Sequence, residues 1–181
     1  MRRRAFTLIE VLAVLAIIIL VASLMYPVFA AAKARAKETV CTSQLRQIGM
    51  ALSLYREDFG GPSTYGEMSE MGLPPTLKEL ITRGLLNREL VMCKGRKEGM
   101  EPVALYNVTW APEGTIGVPS WKDYVQRFGD NSIVMTDENH DFADSPISDP
   151  YVLHHGIGLY LDGHVQARTK TGFWTDRIWW N

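Results

Sequence analysis

The first 32 residues restrict the chain more than any other stretch. Arg2, Arg3 and Arg4 come first, one carboxylate follows at Glu10, and residues 11–32 then run without a charge. A membrane-crossing helix needs about 20 apolar residues. The run is therefore long enough to span a bilayer once. Three cations ahead of it place its N-terminus in the cytoplasm and everything after Ala32 outside. Glu10 is at odds with a simple anchor, because a carboxylate at the edge of an apolar helix is costly unless water or a positive charge is near. Three readings stand open: a headgroup-level residue, an incidental residue of an export signal, and a contact with a cation on another chain.

The order Ala5-Phe6-Thr7-Leu8-Ile9-Glu10 resembles the processing site of type IV prepilins and type II secretion pseudopilins. The resemblance implies cleavage between Ala5 and Phe6 by prepilin peptidase, methylation of the new N-terminus, and neutralisation of a neighbouring subunit's amine by Glu10. The residue before the cut is usually Gly in that family, and here it is Ala5. Pro27 lies where the family often kinks its long helix, and proline removes an i→i−4 hydrogen bond. The resemblance further implies a single-pass inner-membrane protein with its head outside. That protein would later assemble with copies of itself or other pilins into a type IV pilus or type II secretion pseudopilus. A competing reading takes Arg3-Arg4 as a twin-arginine signal with a later cut near residues 30–32, which gives an exported soluble protein.

Composition adds exclusions. The chain has 19 basic and 20 acidic residues; removing residues 1–5 takes away three arginines and leaves 16 against 20, or −4. No polybasic signature for nucleic acid results.

Beyond Lys33 the helical pattern continues. Cys41, Leu45, Ile48, Leu52 and Tyr55 are spaced 4, 3, 4 and 3, which lines one helical face. Thr42, Gln44, Arg46, Gln47 and Ser53 fall opposite. Gly60-Gly61-Pro62 ends the pattern. The expected organisation is a leader at 1–5, a helix over 6–57 with its transmembrane segment at about 6–28, and a head over 58–181. The fold class is α+β: a long N-terminal helix packed on a small antiparallel β-sheet head, similar to pilins.

Within the head, Thr76 and Glu79 form a capping-box pattern that opens a short helix. Residues 103–110, 132–136, 156–161 and 164–168 read as strands, and 121–128 as a helical turn. Asp162-Gly163 reads as a two-residue type I′ hairpin that pairs Leu161 with His164. The aromatic tail, Phe173-Trp174 and Trp179-Trp180, is expected to pack on the sheet.

Cys41 and Cys93 are the two cysteines. Outside the cytoplasm an even pair predicts a disulfide, here one tying head to helix. Two buried thiols are the alternative; a two-Cys metal site needs help from a His and lacks Cys-x-x-Cys spacing. Residues 41–52, a second Cys, and His155 followed by Asp162-Gly163-His164-Val165 resemble pseudopilin-like proteins with a terminal His-spacer-Asp-Gly motif. Six residues separate His155 from Asp162, a shorter spacer than is usual in that group.

His154, His155, Asp162 and His164 are metal-competent, but an extended strand holds His155 and His164 about 20 Å apart. Turn chemistry accounts for them more simply. Asp137, Glu138, Asp141 and Asp144 are candidates for structural Ca²⁺, as in major pseudopilins, against the plainer reading of a solvated acidic loop; EF-hand spacing is absent. No Gly-x-Ser-x-Gly or His-Glu-x-x-His occurs, so no enzyme is expected. The expected role is a filament subunit. The alternative is a minor or tip subunit whose head binds a ligand or partner.

Overall fold

The computed structural model describes residues 7–61, 63–93, 107–108, 120–137, 139–140, 151–172 and 177–181. It divides into two compact units, Met1–Lys37 and Glu38–Asn181.

One helix, α1 (Leu8–Phe59), runs from the first unit into the second, and Pro27 lies inside it. In the first unit its side chains are exposed all round from residue 8 to residue 36. A helix apolar on every side and covered by nothing is the pattern of a membrane or helix-packing segment. The segment is long and apolar enough to cross a membrane.

In the second unit α1 becomes one-sided. Cys41, Leu45, Ile48, Leu52 and Tyr55 are all buried, as their spacing requires. Gln44, placed on the polar face by its chemistry, is buried with them and is a correction. It lies next to Leu45 and three residues after Cys41, so the buried arc is wider than the five apolar positions. The helix continues to Phe59, and Gly60 and Gly61 follow it outside any regular element.

The sheet is antiparallel, with strand order matching chain order: β1 (Asn107–Val108), β2 (Ile133–Asp137), β3 (Leu153–Tyr160) and β4 (Val165–Thr171). Met135 faces Leu159 and Asp137 faces Ile157 across β2 and β3, while Leu159 faces Val165 across β3 and β4. Of the strand expected over 103–110, residues 107–108 are extended and the rest lies outside the described residues.

Strand β3 is covered on both faces. Gly49 of α1 lies against it: a Cβ there would come within 2.9 Å of Leu159 Cδ1. On the other side Trp180 fits over Gly156 and Gly158, where added Cβ atoms would meet its indole at 2.7 and 2.9 Å. Glycines at alternate strand positions thus leave a slot for one large ring. The tail is pinned there by Tyr160, whose hydroxyl donates to the Trp180 carbonyl at 2.8 Å, and by Trp179 Nε1, which donates to the Thr171 carbonyl at 3.1 Å. Phe173 and Trp174 lie outside the described residues.

Two short helices complete the head. Helix α2 (Leu77–Thr82) starts at Thr76, but no side-chain cap forms there. Glu79 is engaged instead by Arg83 at 2.6 Å, and that guanidinium lies over the Phe59 ring at 4.1 Å. The expected capping box is therefore replaced by an i,i+4 ion pair whose cation also stacks on an aromatic face. Helix α3 (Trp121–Phe128) has the cap that α2 lacks: Ser120 Oγ accepts from Asp123 N at 3.1 Å.

Candidate functional site

At the start of α1, Thr7 and Glu10 cap one another. The Thr7 backbone N–H and hydroxyl both donate to Glu10 Oε2, at 2.8 and 2.9 Å, and Glu10 N donates to Thr7 Oγ1 at 3.4 Å. Thr-x-x-Glu at a helix start satisfies two orphan backbone donors reciprocally. This use of Glu10 went unseen in the sequence, although the spacing is that of the box expected at Thr76. Between Glu10 and Lys33 the helix carries no other charge. Ala5 and Phe6 lie outside the described residues.

In the second unit, four side chains from separate parts of the chain converge. Cys41 comes from α1 and Cys93 follows a 3-10 turn at Arg88–Val91. Asp137 ends β2, and His140 lies in the turn after it. The ligand-capable atoms of all four lie within 4.8 Å of one another. The sulfurs of Cys41 and Cys93, the pair for which a disulfide was expected, are 2.6 Å apart. His140 Nε2 is 3.3 Å from Cys93 Sγ and 3.4 Å from Asp137 Oδ2. Asp137 is fully buried. Its Oδ1 accepts from Asn139 N at 3.1 Å and Asn139 Nδ2 at 2.7 Å, whereas Oδ2 has no hydrogen-bond partner among the described residues.

The electrostatics follow from this geometry. Hydrogen bonding to Cys41, with burial, pushes the Cys93 sulfur's proton affinity well above that of an ordinary thiol. Burial disfavours charge on His140, yet Asp137 and Cys41 outweigh it and raise the imidazole to about 9. Burial likewise opposes charge on Asp137, and the contacts from His140 and Asn139 overcome it and hold the carboxyl below the usual range.

Residues 1–26 match the family model described as the prokaryotic N-terminal methylation motif. The motif supports a type IV pilin-like protein processed by prepilin peptidase. No curated protein and no solved structure matches the chain.

The remaining candidates separate. His154 is buried, and His155 on the opposite strand face bonds Thr169 Oγ1 through Nδ1 at 2.7 Å, with Nε2 3.3 Å from Glu38. His164 stacks on Tyr160, centroids 4.1 Å apart, and its Nδ1 meets Asp162 Oδ1 at 2.6 Å. The hairpin is real but its loop is not the expected one. Tyr160, and not Leu161, pairs with His164: Tyr160 N donates to the His164 carbonyl, and Gly163 N to the Tyr160 carbonyl, both at 2.9 Å. Three residues form the loop, and Gly163 takes the left-handed conformation with φ 88°. That is a three-residue turn closed by a left-handed glycine in place of type I′. Asp162 contributes an Asx contact, accepting from His164 N at 2.9 Å.

Of the acidic set, Asp137 points into the cysteine cluster, while Glu138, Asp141 and Asp144 lie outside the described residues. His140 was missed in the sequence. Its signal was weak: one His three residues after the end of a buried strand, with no spacing relation to either cysteine.

Proposed function

We propose that this chain is a filament subunit of a type IV pilus-like or type II secretion-type assembly, processed between Ala5 and Phe6 and packed through its N-terminal helix. The observation that carries the reading is the methylation motif on an exposed helical stretch, residues 8–32, whose one charged side chain is Glu10. Such a surface needs either lipid or other helices around it, and assembly replaces the first by the second. The head faces outside the cytoplasmic membrane before assembly, by the charge order of residues 2–4.

Glu10 has two partners in sequence. Within the uncleaved chain Thr7 satisfies it. After cleavage the amine of Phe6 on a neighbouring subunit competes for the same carboxylate, and the resulting pair, in an apolar surround, fixes axial register. The reading is tested by immunoblotting the sheared-filament and membrane fractions of cells with and without the peptidase. Shortened chain in the filament fraction, lost together with the peptidase, is the expected result. Full-length chain confined to the membrane in both strains refutes it.

A further inference from the structure

We propose that Cys41, Cys93, Asp137 and His140 form a closed four-ligand site for a zinc-class divalent cation, which clamps α1 to the end of β2. The proposal is independent of the filament reading and concerns the unit Glu38–Asn181 alone.

The donor set is the first reason. Two sulfurs, one imidazole nitrogen and one carboxylate oxygen suit Zn²⁺, which is held tetrahedrally by such ligands. Thiols exclude Ca²⁺ and Mg²⁺, which take oxygen ligands. Four protein ligands leave no open position, so the site is structural. The four residues come from positions 41, 93, 137 and 140, so tertiary structure and not local sequence brings them together.

The distances are the second reason. With Zn–S about 2.3 Å and Zn–N or Zn–O about 2.0–2.1 Å, tetrahedral ligand atoms stand roughly 3.3–3.8 Å apart. Cys93 Sγ to His140 Nε2 is 3.3 Å, and His140 Nε2 to Asp137 Oδ2 is 3.4 Å. The sulfurs, at 2.6 Å, must separate by about 1.2 Å on binding, within reach of small χ1 rotations.

Asp137 is the third reason. Its fully buried Oδ2 makes no hydrogen bond among the described residues and faces the cluster, 3.4 Å from His140 Nε2. Asn139 holds Oδ1 from two sides and leaves Oδ2 directed at the sulfurs and imidazole, which is how an outer-shell partner orients a metal-binding carboxylate. A disulfide consumes both thiols and leaves Oδ2 to the His140 contact, whereas a cation takes Oδ2 as a direct ligand. Binding releases both thiol protons and the His140 imidazolium proton, and two thiolates, one carboxylate, a neutral imidazole and M²⁺ leave a net charge of −1. The His140 side chain is 9 % exposed, so it offers the entry side.

The test uses the full chain, extracted into detergent under argon without reductant. Its zinc is measured directly, and the metal-stripped chain is titrated with Co²⁺ and then Zn²⁺. One zinc per chain, with a thiolate-to-cobalt charge-transfer band and intense visible bands of tetrahedral Co²⁺ that Zn²⁺ abolishes, is expected. Cys41→Ser and Cys93→Ser each weaken the charge-transfer band. Because a buried cysteine variant can fail to fold, the near-isosteric Asp137→Asn and His140→Gln carry equal weight. Each lowers Zn²⁺ affinity at least tenfold while keeping the thiolate band. The proposal is overturned by any of three results: sulfurs that resist alkylation until a reductant is added, which identifies a disulfide; Co²⁺ binding without a thiolate band; or wild-type affinity in both Asp137→Asn and His140→Gln.

Discussion

The slot that β3 makes for Trp180 predicts a substitution whose effect changes sign with its neighbour. Replacing Gly156 by Ala adds a Cβ 2.7 Å from Trp180 Cη2 and 3.3 Å from Cζ2. The ring cannot retreat freely, because Trp180 is buried and its carbonyl is held by Tyr160. Overpacking of this kind costs about 1–3 kcal/mol. In a background of Trp180→Leu the benzo ring is gone, and the same Gly156→Ala relieves the strand of a flexible residue, a gain of about 0.5–1 kcal/mol. The coupling between the two sites is therefore about 2 kcal/mol or more. With a urea m-value of about 1–3 kcal/mol/M, this is a difference of roughly 1 M in midpoint shift. Pulse proteolysis of the full chain in detergent reads those midpoints without relying on tryptophan fluorescence. Equal destabilisation by Gly156→Ala with and without the indole refutes the slot, and with it the assignment of the aromatic tail to the core.

Other variants separate roles that the structure superimposes. Glu10→Gln keeps an acceptor for the Thr7 cap but loses the charge, whereas Glu10→Ala loses both. Filament incorporation falls in both variants while membrane insertion persists, and a normal yield from Glu10→Gln reduces Glu10 to a helix cap. Ser120→Ala removes the N-cap of α3 and lowers stability by about 1 kcal/mol, read as a lower urea midpoint; no shift contradicts the cap. Tyr160→Phe strands the buried Trp180 carbonyl at a cost of about 1–3 kcal/mol by the same measurement, and an unchanged midpoint shows that the carbonyl finds another donor.

What the sequence announced was periodic or local. The 4, 3, 4, 3 stripe on α1 follows from 3.6 residues per turn, and all five positions are buried. Alternation in β3 and an Asp-Gly pair were enough to locate the β3–β4 hairpin. Where two local devices compete, sequence spacing does not choose. Thr76 and Glu79 have capping-box spacing, but Arg83 takes the carboxylate; Thr7 and Glu10 have the same spacing and form the box. The loop length of the hairpin turned on a hydrogen bond between Tyr160 and His164, which no residue preference encodes. The cysteine cluster was hidden for a stronger reason. Its members lie up to 99 residues apart (140 − 41), and only the packing of α1 on the sheet brings His140 to the sulfurs.

The central claim, that the chain is matured as a filament subunit, rests on the methylation motif at residues 1–26 and the apolar helix that carries it. Mass spectrometry of the N-terminal peptide of the mature protein tests it most directly. The account predicts a peptide beginning at Phe6 and carrying one methyl group on its amine. A mature protein that begins near Lys33, or one that retains Arg2–Arg4, contradicts it.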